Sequence, residues 1–307
     1  MAKNQHYALL EELTHTTVRI NCDLSNHSSS TGTGYIYSFL EDENDQGVLC
    51  VVTNKHVING AIRAHFNLTK MKTPGVPDYG NHETSTIEDI QALAIPHPGD
   101  VDLTAIPLLP ILMRTANEGT QFYFKCLDKS STVSEKFLEG VSPVEQIMMI
   151  GYPIGLWDKT NNLPIVRREI TATHLMRKFN GANDFLIDCT CFPGSSGSPV
   201  FLANIGSYID QKGTLVAGSQ FSLIGTLYAG PQFNAEGVIE YTTLPTQVTP
   251  KITSQIPTNL GLVIQASELF KLESEISKTI DNLRPSRNSP CRCGSGKKFK
   301  FCCGQLT

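Results

Sequence analysis

The sequence lacks the features of a membrane or secreted protein. None of its apolar runs reaches the ~18 residues that a membrane-spanning helix needs. The first fifteen residues, MAKNQHYALLEELTH, have no apolar core of the kind that defines a secretory signal peptide. We therefore expect a cytoplasmic protein that makes no contact with a membrane.

The sequence also has little net charge, because 25 Lys and Arg nearly balance 29 Asp and Glu. The net charge of −4 gives no overall reason to expect a nucleic-acid-binding protein. The nine cysteines do not follow the even-numbered, regular pattern of a secreted disulfide framework. Five are scattered, whereas four lie within the last seventeen residues, and this crowding favours metal binding.

From Thr16 to about Ile264 the sequence has the texture of a β protein. Short runs rich in Val, Ile, Thr and aromatic residues are separated by Gly, Pro, Asn and Asp. About a dozen such runs favour an all-β barrel or sandwich over alternating strand–helix units. The predicted strands are 17–22, 34–40, 48–53, 61–66, 87–95, 103–109, 121–125, 146–151, 168–173, 185–190, 199–202, 215–228 (two strands) and 260–264.

Beyond Ser267 the hydrophobic period becomes that of an amphipathic helix, with Ser267 as its N-cap. The apolar positions, spaced by three and four, are Leu269, Leu272, Ile276, Ile280 and Leu283. Pro285 and Pro290 end this helix and make a short linker. The predicted organisation is a β domain over 1–266, a helix over 267–284, and a linker with a cysteine-rich unit over 285–307.

Ser196 is the candidate nucleophile of an acyl-transfer site. Gly194 and Gly197 flank it, and glycines let the backbone turn sharply enough to aim N–H groups inward. The amides of Gly194 and Ser196 are the predicted oxyanion hole. A glycine- and serine-rich surface loop is the alternative interpretation of this segment.

His56 and Asp102 are the candidate base and its orienting acid. His56 follows an apolar strand that ends at Thr53, and Asp102 begins another apolar run, where a carboxylate can meet an imidazole N–H. Asp100 is the rival acid, and a turn or cap residue is its alternative interpretation. The order His, Asp, Ser is that of chymotrypsin and differs from subtilisin and the α/β-hydrolases.

Five segments in this order resemble those of trypsin-like serine proteases, with the greatest similarity to the bacterial HtrA type. They are TGTG (31–34), VTNKH (52–56), DLTA (102–105), MIGYP (149–153) and GSSGSP (194–199). The resemblance covers residues ~15–270 and implies two six-stranded β-barrels of the chymotrypsin/trypsin fold, with the triad in the cleft between them. Ser195 replaces the aspartate of the secreted digestive enzymes, so activation by propeptide cleavage is not expected.

The resemblance also implies a first specificity pocket. Thr190, six residues before the nucleophile, would form its base, and the strand 224–228 would form a wall through Thr226, Leu227 and Tyr228. Position 190 carries no acid, so a preference for Arg or Lys is not implied. We expect a neutral substrate side chain of small to medium size.

Four cysteines near the end of the chain predict a zinc site. Cys291, Cys293, Cys302 and Cys303 offer the four soft ligands that zinc prefers in a tetrahedron. A segment this short cannot bury a core, so the metal would have to supply its folding energy. The segment resembles the SEC-C motif at the end of the SecA translocase ATPase, which implies a structural zinc knuckle. A disordered basic tail with reactive thiols is the alternative.

The same tail carries basic and aromatic side chains that suit a protein, ribosome or RNA contact. They are Arg292, Lys297, Lys298, Phe299 and Lys300. A solvated face is an equally good interpretation of these charges.

The sequence as a whole predicts a serine endopeptidase for protein or peptide substrates, with a zinc knuckle that recruits a target or partner. The alternatives are a silent or latent peptide-binding adaptor on the same scaffold, and an esterase.

Overall fold

The computed structural model describes residues 5–25, 27–43, 47–209, 213–238, 251–283 and 297–298. These ranges contain eighteen strands, six α-helices and a 3₁₀ turn at Pro153–Gly155. The strands are β1 (Thr17–Leu24), β2 (Ser29–Phe39), β3 (Val48–Thr53), β4 (Ala61–Thr73), β5 (Val76–Glu88), β6 (Ile95–Pro96), β7 (Thr104–Pro107), β8 (Phe122–Tyr123), β9 (Gln146–Gly151), β10 (Ile165–Thr171), β11 (Asp184–Asp188), β12 (Pro199–Asn204), β13 (Ser207–Ile209), β14 (Leu215–Ala217), β15 (Gln220–Ala229), β16 (Gln232–Val238), β17 (Lys251–Pro257) and β18 (Leu260–Gln265). The helices are α1 (Gln5–Thr14), α2 (Lys55–Ile58), α3 (Ile90–Leu93), α4 (Leu109–Asn117), α5 (Glu135–Leu138) and α6 (Glu268–Leu283).

The N-terminal half is an eight-stranded antiparallel sheet. Its strand order is β5-β4-β1-β2-β3-β7-β6, and β8 pairs with β4. One face is packed by fully buried side chains such as Ile20, Ile36 and Phe66. Each such side chain contributes about 1.5–3 kcal/mol by leaving water. Among the described strands the pairings run as an open series, so a second closed barrel stays a prediction.

The C-terminal half is a closed six-stranded barrel in the order β10-β11-β18-β15-β12-β9. Closure leaves no strand edge exposed. Phe185, Val200 and Val263 are wholly buried in its interior. The predicted all-β architecture with a six-stranded barrel is thereby confirmed for this half.

The C-terminal helix predicted from the spacing of apolar residues is confirmed as α6. Leu269, Leu272 and Ile276 lie at most 1% exposed in the same core as the barrel strands. Among the described helices, none combines the length and hydropathy of a membrane-spanning segment.

Segment 87–95, predicted as one strand, is interrupted. Strand β5 ends at Glu88, and Asp89 adopts a left-handed conformation with φ of 49°, which breaks the extended chain. The one-turn helix α3 then buries Ile90 before β6 begins at Ile95. Ile90, predicted to lie in a strand, therefore packs into the core from a helix.

Candidate active site

Strand pairing brings His56 and Asp102 together. Strands β3 and β7 are antiparallel with Thr53 opposite Thr104, so residues just after 53 meet residues just before 104. His56 Nδ1 donates to Asp102 Oδ2 at 2.5 Å, and the His56 backbone N–H donates to Oδ1 at 3.0 Å. Asp100, the rival acid, is exposed.

The Asp102 carboxylate is held in its charged form. Burial raises the pKa of Asp102, but hydrogen bonds from the His56 ring and from the backbone of His56 and Lys55 outweigh burial, so the pKa falls below its usual value. The Asn54 side-chain amide donates to the Asp102 carbonyl at 2.7 Å and anchors the same loop. Since the carboxylate can only accept, the neutral His56 ring carries its proton on Nδ1 and presents Nε2 as a base.

Ser196 lies in a loop in which the carbonyl groups of residues 192–196 are all engaged. Each carbonyl from residue 192 to residue 196 accepts a hydrogen bond. The donors are, in chain order, the Ser195 N–H (3.0 Å), the Ile154 N–H (2.6 Å), the Thr33 hydroxyl (2.9 Å), the Ser198 N–H (3.0 Å) and the Thr33 N–H (2.8 Å). Ile154 makes its contact with a φ of 55°, a strained value for a β-branched residue that persists only where surrounding structure enforces it.

The amides of the same loop divide into two groups. The N–H groups of Ser195, Gly197 and Ser198 donate to backbone carbonyls. Those of Gly194 and Ser196 have no hydrogen-bond acceptor among the described residues. Two free N–H groups close to a serine hydroxyl, one of them the serine's own, are the arrangement that stabilises an oxyanion during acyl transfer.

Two glycines make this loop conformation possible. Gly194 has φ of +90° and Gly197 has φ of +86°, values that residues with a side chain rarely adopt. A Cβ on Gly194 would lie 2.6 Å from the Tyr152 carbonyl oxygen, and one on Gly197 would lie 1.9 Å from the Thr33 carbonyl oxygen. The turn therefore requires glycine at both positions.

The Ser196 hydroxyl is not joined to His56 in this structure. Its hydrogen bond, within the described part of the chain, is a long one of 3.5 Å to the Tyr228 carbonyl. The His56 side chain is half-exposed. Catalytic hydrogen bonds are often long or unformed before substrate binds.

A cavity of about 170 Å³ opens beside Ser196. Leu227 and Tyr228, two of the four predicted pocket residues, line it, whereas Thr190 and Thr226 do not. The buried Thr226 hydroxyl lies 2.8 Å from the Tyr35 hydroxyl, and the Thr190 hydroxyl donates to Asn259. The remaining lining residues, which were not predicted, are Cys191, Phe192, Pro193, Ala229, Gly230 and Gln232.

A buried pair ties α6 to the loop that carries Asp102. His97 Nε2 lies 2.9 Å from Glu268 Oε2, without good hydrogen-bond alignment, and these side chains are 2% and 1% exposed. The Gly99 N–H donates to His97 Nδ1 at 3.1 Å. Lys55 Nζ, next to His56, donates to the carbonyls of His97 and Gly99 at 2.9 and 2.7 Å. Sequence reasoning missed this pair, because its two members lie far apart along the chain.

We expect acid to destabilise the fold through His97. Burial lowers the pKa of His97 from 6.5, and Glu268 only partly offsets burial, so the native state disfavours the protonated ring. The contribution of His97 to stability is full above a pH of about 6.5 and is lost as the pH falls through the lowered value. The free energy of unfolding, measured by urea titration at decreasing pH, should therefore decline.

The variant His97→Gln should show a smaller decline than the native chain over that range, while the exposed His27→Gln should decline like the native chain. His15, whose pKa is also lowered mainly by burial, adds the same slope to all three proteins. Parallel curves for His97→Gln and the native chain would contradict this assignment.

The C-terminal tail is similar to a known protein family. Residues 287–305 match the family model described as the SEC-C motif. The tail matches SEC-C. Over 43 residues the chain is also 51% identical to the protein translocase subunit SecA of a Nitratiruptor species. This aligned segment covers 14% of this chain and 4% of that protein. The predicted ligands of the SEC-C segment lie outside the described residues; they are Cys291, Cys293, Cys302 and Cys303.

Solved structures similar to this chain are HtrA-type and related serine proteases. The serine endoprotease from Yersinia pestis aligns over 91% of this chain and 69% of its own, with a TM-score of 0.46 and 15% identity. The HtrA-type protease AlgW, solved with a tripeptide, aligns over 88% of this chain and 62% of its own, with a TM-score of 0.42 and 15% identity. Identities this low assign no role to any residue.

Proposed function

We propose that this protein is a serine endopeptidase in which His56, Asp102 and Ser196 form the triad. The observation that carries the proposal is the pattern of the Ser196 loop. The carbonyls of residues 192–196 are occupied, whereas the amides of Gly194 and Ser196, beside a hydroxyl, have no acceptor in the part of the chain that the structure describes. His56 is the base, and the charged Asp102 bonded to its Nδ1 orients it.

The chemistry follows from these groups. Ser196 Oγ attacks the scissile carbonyl carbon while His56 Nε2 takes its proton, and the new oxyanion is bound by the N–H groups of Gly194 and Ser196. The Asp102 carboxylate stabilises the imidazolium. His56 then gives the proton to the leaving amine, which departs and leaves an acyl group on Ser196. A water molecule, deprotonated by His56, releases that acyl group and restores the enzyme.

The substrate class follows from the cavity beside Ser196. Its walls carry no charged side chain and include Leu227, Phe192 and Ala229. A neutral side chain of small to medium size therefore suits about 170 Å³. We assign the protein and peptide substrates to this cavity. The proposed scaffold is the chymotrypsin-like pair of barrels, and the proposed location is the cytoplasm.

A fluorophosphonate probe tests the proposal, because it reacts with an activated serine hydroxyl. The native chain should be labelled and Ser196→Ala should not. The exposed variant Asp100→Asn, two residues from Asp102, should label like the native chain. Equal labelling of native chain and Ser196→Ala, or none in either, would refute an active serine hydrolase. Peptide-library cleavage then separates a protease from an esterase.

A latent, peptide-binding adaptor is the second candidate. The observation that favours it is the missing hydrogen bond between Ser196 and His56, since Ser196 bonds the Tyr228 carbonyl instead. An adaptor would bind peptides without cleaving them and would escape the probe. It would also have no use for the His56–Asp102 pair or for two unengaged amides.

For the SEC-C segment we propose a structural zinc ion held by Cys291, Cys293, Cys302 and Cys303, on the chemistry of four thiolate donors. The ion would supply folding energy to the segment, and the basic face around it would recruit a protein, ribosome or RNA partner. No step of hydrolysis passes through it.

Replacing two of the four ligands is expected to release the metal. The double variant Cys302→Ser/Cys303→Ser should lose about one zinc per chain by elemental analysis, because two thiolates bind the ion too weakly. The exposed free cysteine variant Cys126→Ser should keep its zinc. Equal zinc contents in all three proteins would rule out this site.

A further inference from the structure

Thr33 makes four hydrogen bonds from the middle of the N-terminal sheet, and it is fully buried. Its N–H donates to the Ser196 carbonyl at 2.8 Å, and its hydroxyl donates to the Gly194 carbonyl at 2.9 Å. The same hydroxyl accepts the Tyr152 N–H at 3.0 Å. The Thr33 carbonyl accepts the Thr53 hydroxyl at 2.7 Å.

These bonds fix the direction of peptide groups in the Ser196 loop. A peptide unit is planar, so holding its carbonyl also orients the N–H of the same unit. Thr33 holds the units that follow Gly194 and Ser196, whereas the free amides of these residues belong to the units that precede them. Thr33 therefore acts on each free amide across one α-carbon. Glycine at 194 has no side chain to restrict it, so an outside contact has to select its conformation.

The hydroxyl of Thr33 has a defined orientation. The Tyr152 N–H occupies one lone pair of its oxygen, which leaves its hydrogen directed to the Gly194 carbonyl. Tyr152 immediately precedes the 3₁₀ turn whose Ile154 N–H holds the Pro193 carbonyl. Both peptide units that flank Gly194 are thus held from one small region.

Thr33 also contacts the strand that precedes the base, His56. Thr53, which bonds its carbonyl, ends β3 three residues before His56 and pairs with Thr104 in the register that joins His56 to Asp102. One residue therefore contacts both the loop of the nucleophile and the strand β3, which leads to the base. We propose that Thr33 is a positioning residue that sets the direction of the oxyanion-hole amides; this role rests on the proposed function.

Two substitutions test the role of the hydroxyl. Thr33→Val keeps the shape of the side chain but removes the bonds to Gly194 and Tyr152, whereas Thr33→Ser keeps both. Thr171→Val is the matched control, because the Thr171 hydroxyl is equally buried and likewise joins a backbone N–H (Glu145) to a carbonyl (Pro143). It has no hydrogen bond to residues 192–198 among the described contacts.

We expect Thr33→Val to lower kcat about 10- to 100-fold with little change in KM, less than the loss of an oxyanion donor itself. Thr33→Ser should restore most of the rate, and Thr171→Val should melt at a similar temperature to Thr33→Val yet keep its kcat. A fall in kcat that is shared by Thr171→Val, or that serine does not rescue, would overturn the proposal.

Amide hydrogen exchange of the fragment 192–198 gives a readout that does not need activity. Thr33→Val should exchange faster than the native chain, and Thr33→Ser and Thr171→Val should not. If the native chain proves inactive while this exchange pattern holds, the proposed function fails and the placement by Thr33 stands. Unchanged exchange in Thr33→Val refutes the placement whatever the activity.

Discussion

Replacing Ser196 by alanine is expected to reduce kcat for peptide hydrolysis by about 10⁴- to 10⁶-fold, because the variant lacks the proposed nucleophile. His56→Ala should have an effect of the same order, and the double variant should be no slower than either single one, since the two residues act in one step. Initial rates with a fluorogenic peptide measure all three.

The acid of the triad can be tested with a close neighbour as control. Asp102→Asn should lower kcat by about 10⁴-fold, because an amide donor opposite His56 Nδ1 favours the wrong tautomer. Asp100→Asn removes an equal charge from an exposed position and should leave kcat unchanged. Comparable losses in the two asparagine variants would show that net charge, and not the bond to His56, carries the effect.

Gly197→Ala is expected to abolish activity and to destabilise the fold by about 2–5 kcal/mol. The left-handed backbone at φ of +86° accounts for about 1–2 kcal/mol of this loss. Overlap of the new Cβ with the Thr33 carbonyl oxygen, 1.9 Å away, and with the Thr53 hydroxyl, 2.6 Å away, accounts for about 1–3 kcal/mol more. Neither neighbour can move without disturbing the loop or the strand that leads to His56.

The control for this substitution is Gly181→Ala. Gly181 has a similar φ of +84°, but among the described residues no atom beyond its chain neighbours lies within 4 Å of its added Cβ. This variant should show the backbone cost alone and keep full activity. Denaturant unfolding and peptide hydrolysis of the two alanine variants separate strain from collision. Equal stability and equal activity would mean that the close approach of Thr33 to Gly197 does not exist in solution.

Local signals account for the parts of the fold that sequence could predict. Strands β3 and β9 have the predicted bounds, 48–53 and 146–151, because continuous apolar runs end in residues that cannot extend them. Helix α6 follows from its apolar spacing alone. Strand β5 was missed because it is polar and mostly exposed at a sheet edge, although Pro74 and Gly75 mark the turn before it.

The candidate site was predictable only where chemistry is local. Ser196 and its glycines stand together in the chain, and His56 and Asp102 each follow from strand ends. Thr33 lies in a segment that resembles a protease motif, yet its role depends on Gly194, 161 positions away, and no spacing rule reaches that far. The resemblance to proteases predicts Thr190 and Thr226 in the pocket, whereas their hydroxyls are engaged with Asn259 and Tyr35.

The most direct test of the account is a crystal structure of the native chain after reaction with a fluorophosphonate. We predict a covalent bond from Ser196 Oγ to phosphorus, with the phosphoryl oxygen about 2.7–3.1 Å from the N–H groups of Gly194 and Ser196. His56 Nε2 should then lie within about 3 Å of Ser196 Oγ. An adduct whose phosphoryl oxygen misses both amides, with His56 still out of reach, would contradict it.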